Sequence, residues 1–360
     1  MNRVGYVYDP IYLEHITGNH PENPTRLEAV MEHLAKVGLL QRLVPIPAVA
    51  ATEEDLTRVH TERMIRKVAN LAGRGGGRID MDTLVSSRSY EAALYAAGGT
   101  MAGVQATLDG QVDAAFALVR PPGHHATPRQ SMGFCLFNNV AVTARWAQEV
   151  LGIQRIAIVD FDVHHGNGTD DKFDADPDVL YVSTHEYPLY PGTGDWRRPT
   201  HVRGPDNNLN IPLPAETDDR GYMQVFRGLV EPALRRFEPE LLLVSAGYDG
   251  HWADPLAWQL LSLQCYYDIA ASLFAISQDV CPGRLVFTLE GGYDLDVLSA
   301  GVASSFAAML GLPYHDPLGP ARKEGVAVDR LIQRLAEWHM IKGAAETEPT
   351  SSDTRSSDGR

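Results

Sequence analysis

Six short apolar runs punctuate the chain, at residues 4–8, 115–119, 156–159, 179–182, 241–244 and 285–289. Each is continuous rather than alternating, the pattern of parallel strands covered on both faces. Longer amphipathic stretches separate them and predict helices at 24–37, 89–108, 139–150, 221–237, 260–277 and 296–310. The first has Asn23 placed as N-cap, Pro24 at the first helical position and Gly38 just past its end. Strands alternating with helices predict an α/β fold, with helices on both faces of a largely parallel sheet.

Composition narrows the class. The chain has 360 residues, 44% of them hydrophobic, and reads as one globular domain over residues 1–342. From Gly343 the sequence GAAETEPTSSDTRSSDGR is almost free of apolar residues, which predicts a disordered tail over 343–360. A net charge of −15 with no basic stripe speaks against nucleic-acid binding. No apolar stretch is long enough to span a bilayer, so no membrane partner is expected. The three cysteines, Cys135, Cys265 and Cys281, have no paired spacing and suggest a reducing cytoplasm. No feature of the sequence fixes an oligomeric state.

The informative residues follow the apolar runs. After 115–119 comes RPPGHHA with His124 and His125; after 156–159 comes DFDVHHGNG with Asp160, Asp162, His164 and His165. After 241–244 comes SAGYDGHWADPLA with Asp249 and His251, and after 285–289 comes EGGYD with Glu290 and Tyr293. Ligands of open parallel sheets bind at the carboxyl ends of the strands, so four segments deliver polar groups to one edge. Asp160, Asp162 and His164 are spaced by two and would share a direction in extended backbone. Asp162 and His164, joined by Asp249, make a metal site with a position open for water and substrate, as catalytic zinc requires. Histidine at 124 and 125 offers a base and an acid near neutral pH. Tyr293, in a glycine turn, offers a phenol to a developing oxyanion.

Taken in order, RPPGHHA, GFCLFNN, VDFDVHHGNG, SAGYDGHWADPL and LEGGYD resemble the signatures of the histone deacetylase superfamily, in the form of class II enzymes and bacterial deacetylase-like amidohydrolases. The resemblance runs from about Val4 to Leu310. It implies a three-layer α/β/α fold of arginase type around a mostly parallel eight-stranded sheet. It implies zinc on Asp162, His164 and Asp249, the second histidine as general base and acid, Asp160 orienting His124, and Tyr293 as the catalytic tyrosine. Asn167 stands where class I members carry aspartate. By the same resemblance a potassium ion lies among Asp160, Asp162, His164, Ser183 and Thr184. Gly133, Phe134 and Tyr190 fall on the substrate tunnel, Tyr190 replacing a commoner phenylalanine. Leu256 falls at the rim where polyamine-selective relatives carry glutamate.

The resulting expectation is a zinc-dependent hydrolase that removes acetyl or other acyl groups from the lysines of a peptide or protein. The alternative is hydrolysis of an acetylated small amine such as a polyamine. A dinuclear, arginase-like centre would need carboxylates where this chain has Gly166 and His251. A non-catalytic acyl-lysine reader is disfavoured because the whole polar set is present.

Overall fold

The computed structural model describes residues 2–174, 176–197 and 207–341; the tail expected over 343–360 lies outside them. Its strands are β1 Val4–Val7, β2 Val44–Ile46, β3 Gly76–Arg78, β4 Leu84–Ser86, β5 Ala114–Ala117, β6 Ile156–Asp160, β7 Val179–Glu186, β8 Asn208–Leu213, β9 Leu241–Ala246 and β10 Leu285–Leu289. Eight of them form one sheet in the order β2-β1-β5-β10-β9-β6-β7-β8. Every pairing in that sheet is parallel. The small β3–β4 pair is antiparallel and separate.

The six apolar runs all became strands of this sheet. The two strands the pattern did not reveal, β2 and β8, are its edges, and each contains a proline, Pro45 and Pro212. An edge tolerates a residue that cannot donate to the ladder, so the breaker signal misled there. The helices differ from expectation mainly at their caps. Pro24 itself takes the N-cap of Thr25–Lys36, while the Asn23 side chain accepts the Thr25 N–H at 2.9 Å. Asn138, Ser262 and Asp294 cap Asn139–Leu151, Leu263–Val280 and Leu295–Leu310 through side-chain oxygens. The stretch read as one helix over 221–237 begins earlier, at Asp219, and carries a π-turn at Phe226–Val230. The structure adds helices at Glu53–Thr57, Glu62–Gly73, Asn167–Phe173 and Asp329–Trp338 to those the pattern predicts.

A continuous apolar cluster runs through both helical layers and the sheet. Each of the central strands β5, β6, β9 and β10 is buried throughout, which is why their sequences do not alternate. These four strands are neighbours, in the order β5-β10-β9-β6. Because they are parallel, the four polar segments that follow them emerge side by side. Among the described residues no helix is long and apolar enough to cross a membrane.

Candidate active site

The polar segments converge on a tunnel of about 240 Å³. Gly133, Phe134, Tyr190 and Leu256 line it together with His125, His164 and Tyr293. Around His164, one of these lining residues, Asp162, His164 and Asp249 each place a potential ligand atom within 4.8 Å of the other two. The His164 Nδ1 lies 3.2 Å from Asp162 Oδ1 and 3.1 Å from Asp249 Oδ2.

The extended backbone expected to align Asp160, Asp162 and His164 stops at Asp160, the last residue of β6. Beyond it the chain bends, and carboxylates fold back onto the backbone: Asp162 N–H donates to Asp160 Oδ1 at 3.2 Å and His164 N–H to Asp162 Oδ1 at 2.9 Å. Aspartate at every second position thus builds the turn as well as the site. On the other side, the Gly291 N–H donates to Asp162 Oδ2 at 2.7 Å. A Cβ at Gly291 would collide with Asp162 Oδ2 and Asp249 Oδ2, so only glycine lets the Tyr293 loop approach this closely.

Two buried carboxylates so close together need a cation. Burial raises the Asp249 carboxyl above the usual range, and the charge of Asp162 adds to it. Burial alone would lower His164, but hydrogen bonds to both aspartates outweigh it and bring it up to about 10. A divalent ion with neutral His164 balances the pair of charges with one nitrogen and two oxygen donors, a set that zinc accepts. The residues present therefore fit a single divalent metal. They do not fit a second one in the arginase manner. Any side chain at position 166 would strike the Asp160 carboxylate, and His251 turns its Nδ1 to the Ala253 N–H at 3.1 Å.

The tandem histidines stand in opposite electrostatic settings. His124 Nδ1 lies 3.0 Å from Asp160 Oδ2, and Asp160 also accepts the Tyr181 hydroxyl at 3.0 Å. Burial would lower His124, but Asp160 and Asp162 overcome it and raise it to about 10. His125 Nδ1 lies 2.9 Å from Asn167 Oδ1. Burial, then the neighbouring His124 and His164, hold it well below the ordinary value. The neutral imidazole of the pair is His125, beside the tunnel.

Phe134 and Tyr190 both form part of the wall. Phe134 lies edge-on to Tyr293 at 5.7 Å, and Tyr190 edge-on to His125 at 5.1 Å between ring centroids. Gly133 and Phe134 both have left-handed backbone, at φ 56° and 67°. Such a conformation is uncommon for a bulky side chain and costs about 1–3 kcal/mol. Ser183 pairs with Asp160 across β6–β7, and both Ser183 and Thr184 are buried.

Several supporting residues were not anticipated. Arg26, wholly buried, donates to the Gly292 and Glu290 carbonyls, each at 2.7 Å, and lies 5.0 Å over the Tyr293 ring. Glu22 joins Arg26 at 3.3 Å to Arg120, which precedes the histidine loop. A readable signal existed: Glu22 and Arg26 continue the apolar stripe of Val30 and Leu34 at i, i+4 spacing. Asp254 accepts backbone N–H groups of the Tyr293 loop. Asp82 reaches the tunnel from the loop between β3 and β4, a segment without any strand-end motif.

Comparison with known proteins agrees with this geometry. The histone deacetylase domain profile matches residues 20–309, and the chain belongs to that family. It is 40% identical over 295 residues to a probable deacetylase of Archaeoglobus fulgidus, covering 81% of this chain and 82% of the relative. It is 38% identical over 290 residues to a histone deacetylase-like amidohydrolase of Pseudomonas aeruginosa, covering 80% and 75%. The crystal structure of the HDA15 HD domain superposes with a TM-score of 0.85 at 33% identity, covering 94% of this chain and 96% of that one. Deacetylase or amidohydrolase activity is thereby the activity of this family of enzymes.

Proposed function

We propose that residues 1–342 form a zinc-dependent deacetylase domain that removes acetyl or longer acyl groups from lysine side chains. The observation that carries this reading is the cluster of Asp162, His164 and Asp249 beside a tunnel lined by His164, His125 and Tyr293. An aromatic-walled tunnel suits an apolar alkyl stem delivering its amide to the bottom.

Zinc held by Asp162, His164 and Asp249 would supply Lewis acidity toward the acyl oxygen and the attacking water. The protein's own groups do the rest. Asn167 accepts the Nδ1 proton of His125, which leaves Nε2 free to take a proton from the water. The same nitrogen then returns that proton to the departing amine, so that free amine and acetate leave. The Tyr293 hydroxyl donates to the acyl oxygen as negative charge grows there. Asp160 holds His124 in one orientation. Phe134 and Tyr190 exclude water from the stem, and the Gly133 carbonyl is available to the substrate amide. A potassium ion among Asp160, Asp162, His164, Ser183 and Thr184 belongs to the same reading; its oxygen-rich surroundings support it.

A second reading, hydrolysis of an acetylated small amine, is favoured by Asp82, an acidic residue that lines the tunnel. The apolar Leu256 on the same wall supports the lysine reading. Turnover of a fluorogenic acetyl-lysine peptide that requires zinc and disappears in His125→Ala is the expected result. Acetate release from acetylated polyamines alone would move the assignment to the second reading, and silence on both would overturn the hydrolase reading.

A further inference from the structure

Beside the tunnel lies another set of side chains with potential ligand atoms, none of which belongs to the Asp162, His164 and Asp249 set. His124, Cys135 and Glu290 each bring one donor atom within 4.8 Å of the other two. All are buried, at 3%, 0% and 0% exposure. They come from separate segments: the histidine loop after β5, the Gly133–Phe134–Cys135 turn and the end of β10. We propose that these residues form a second metal site, which takes a thiophilic divalent cation such as cadmium or excess zinc and inhibits the enzyme when filled.

Charge and chemistry both support the assignment. A thiolate, a carboxylate and a neutral imidazole around a divalent ion sum to zero, which is what a fully buried site requires. The donors are one nitrogen, one oxygen and one sulfur, a set that borderline-soft ions accept and calcium or magnesium do not. Binding releases the Cys135 thiol proton and the His124 imidazolium proton to solvent and forms metal–sulfur and metal–nitrogen bonds; no oxidation is involved.

The surroundings are those of a held site. His124 directs Nδ1 at Asp160, 3.0 Å away, so Nε2, 3.8 Å from Asp162 Oδ1, is the donor once its proton has left. Glu290 is fixed by the Gly123 N–H at 2.7 Å and the Ser245 hydroxyl at 3.1 Å. An entry path exists because His124 and Cys135 both line the tunnel, so an ion arrives by the route a substrate would use. An ion seated there engages His124 and occupies space beside the reacting acyl group. Inhibition therefore rests on the deacetylase reading, whereas binding does not.

The site tested by the first three ligands contains no sulfur, and that separates the two spectroscopically. The full chain holding one equivalent of zinc is titrated with cadmium, and thiolate-to-metal charge-transfer absorption is followed in the near ultraviolet. The expected result is a band that saturates with one further equivalent, in step with loss of turnover. Cys135→Ser should abolish the band while one equivalent of zinc stays bound, and Glu290→Gln should weaken the second binding step. Cys265→Ser and Cys281→Ser should leave the band intact. No band through several equivalents, or a band that survives in Cys135→Ser, overturns the proposal. A saturating band in a protein that deacetylates nothing would support the metal site and overturn the function proposed above.

Discussion

The Asp254 carboxylate accepts the backbone N–H of Tyr293 at 2.7 Å and that of Asp294 at 3.2 Å, while its other oxygen takes the Leu256 N–H at 3.0 Å. One buried side chain thus ties the tyrosine loop after β10 to the rim segment after β9. The tyrosine ring is steadied from the opposite side by Arg26. Asp254→Ala should leave the Tyr293 and Asp294 N–H groups without this acceptor and let the phenol drift. A loss of about 1–3 kcal/mol in transition-state stabilisation is expected, a fall of roughly tenfold to a hundredfold in kcat with KM little changed. Equal kcat values for the variant and the parent would remove Asp254 from this role.

Tyr293→Phe tests the phenol itself. The ring contacts with Phe134 and Arg26 survive the substitution, so folding and substrate binding should hold. Loss of one donor to an oxyanion is worth about 10²–10³ in kcat. Steady-state kinetics would separate that outcome from a rise in KM, which would assign the tyrosine to substrate binding.

Metal retention would distinguish the carboxylates proposed to hold zinc from those that only surround the site. Asp249→Ala removes one ligand and should abolish stoichiometric zinc after dialysis; Gly291→Ala should weaken retention because its Cβ strikes both carboxylates. Zinc analysis with circular dichroism as a folding check reads both. A folded Asp249→Ala protein carrying a full equivalent of zinc would refute the ligand set.

Much of this arrangement was legible in the chain because burial and chemistry wrote separate signals. Strands β5, β6, β9 and β10 are buried on both faces, so they appear as uninterrupted apolar runs, and each is followed at once by its polar payload. What stayed hidden was whatever depended on the third dimension. The neighbour order β5-β10-β9-β6 does not follow chain order, and it is what makes four loops one site. The bend after Asp160 was hidden because the same D-x-D-x-H spacing fits a strand and a carboxylate-capped turn. Asp82 belongs to a short loop that carries no pattern.

Glu22 is the hinge of the buried ion network. Burial alone would raise its carboxyl, but Arg120 and then His15 hold it well below the usual carboxylate range. Arg120 and Arg26 are both fully buried. Glu22→Ala would leave two guanidinium groups short of a counter-charge, at a cost of about 3–5 kcal/mol. Denaturant unfolding should show that loss, whereas an exposed pair such as Arg66–Glu62 should contribute about 0–1 kcal/mol.

His60 sets an acid limit on the fold away from the metal. Its Nδ1 donates to the Thr127 carbonyl at 3.0 Å, and its Nε2 accepts the Asn138 N–H at 2.9 Å. The second bond requires the neutral ring, and burial lowers its pKa to about 3. The unfolded chain takes up the proton near pH ~6.5, so between that value and about 3 the unfolded state binds more protons. Stability from this residue is complete above the unfolded value and falls as pH drops through the window, by about 1.4 kcal/mol per unit. His60→Phe loses the hydrogen bonds at every pH but also loses this slope. Unfolding of both proteins in metal-free buffer should therefore give curves that converge as pH falls from about 6.5 to 4.5. Parallel curves would show that His60 is not the group that titrates.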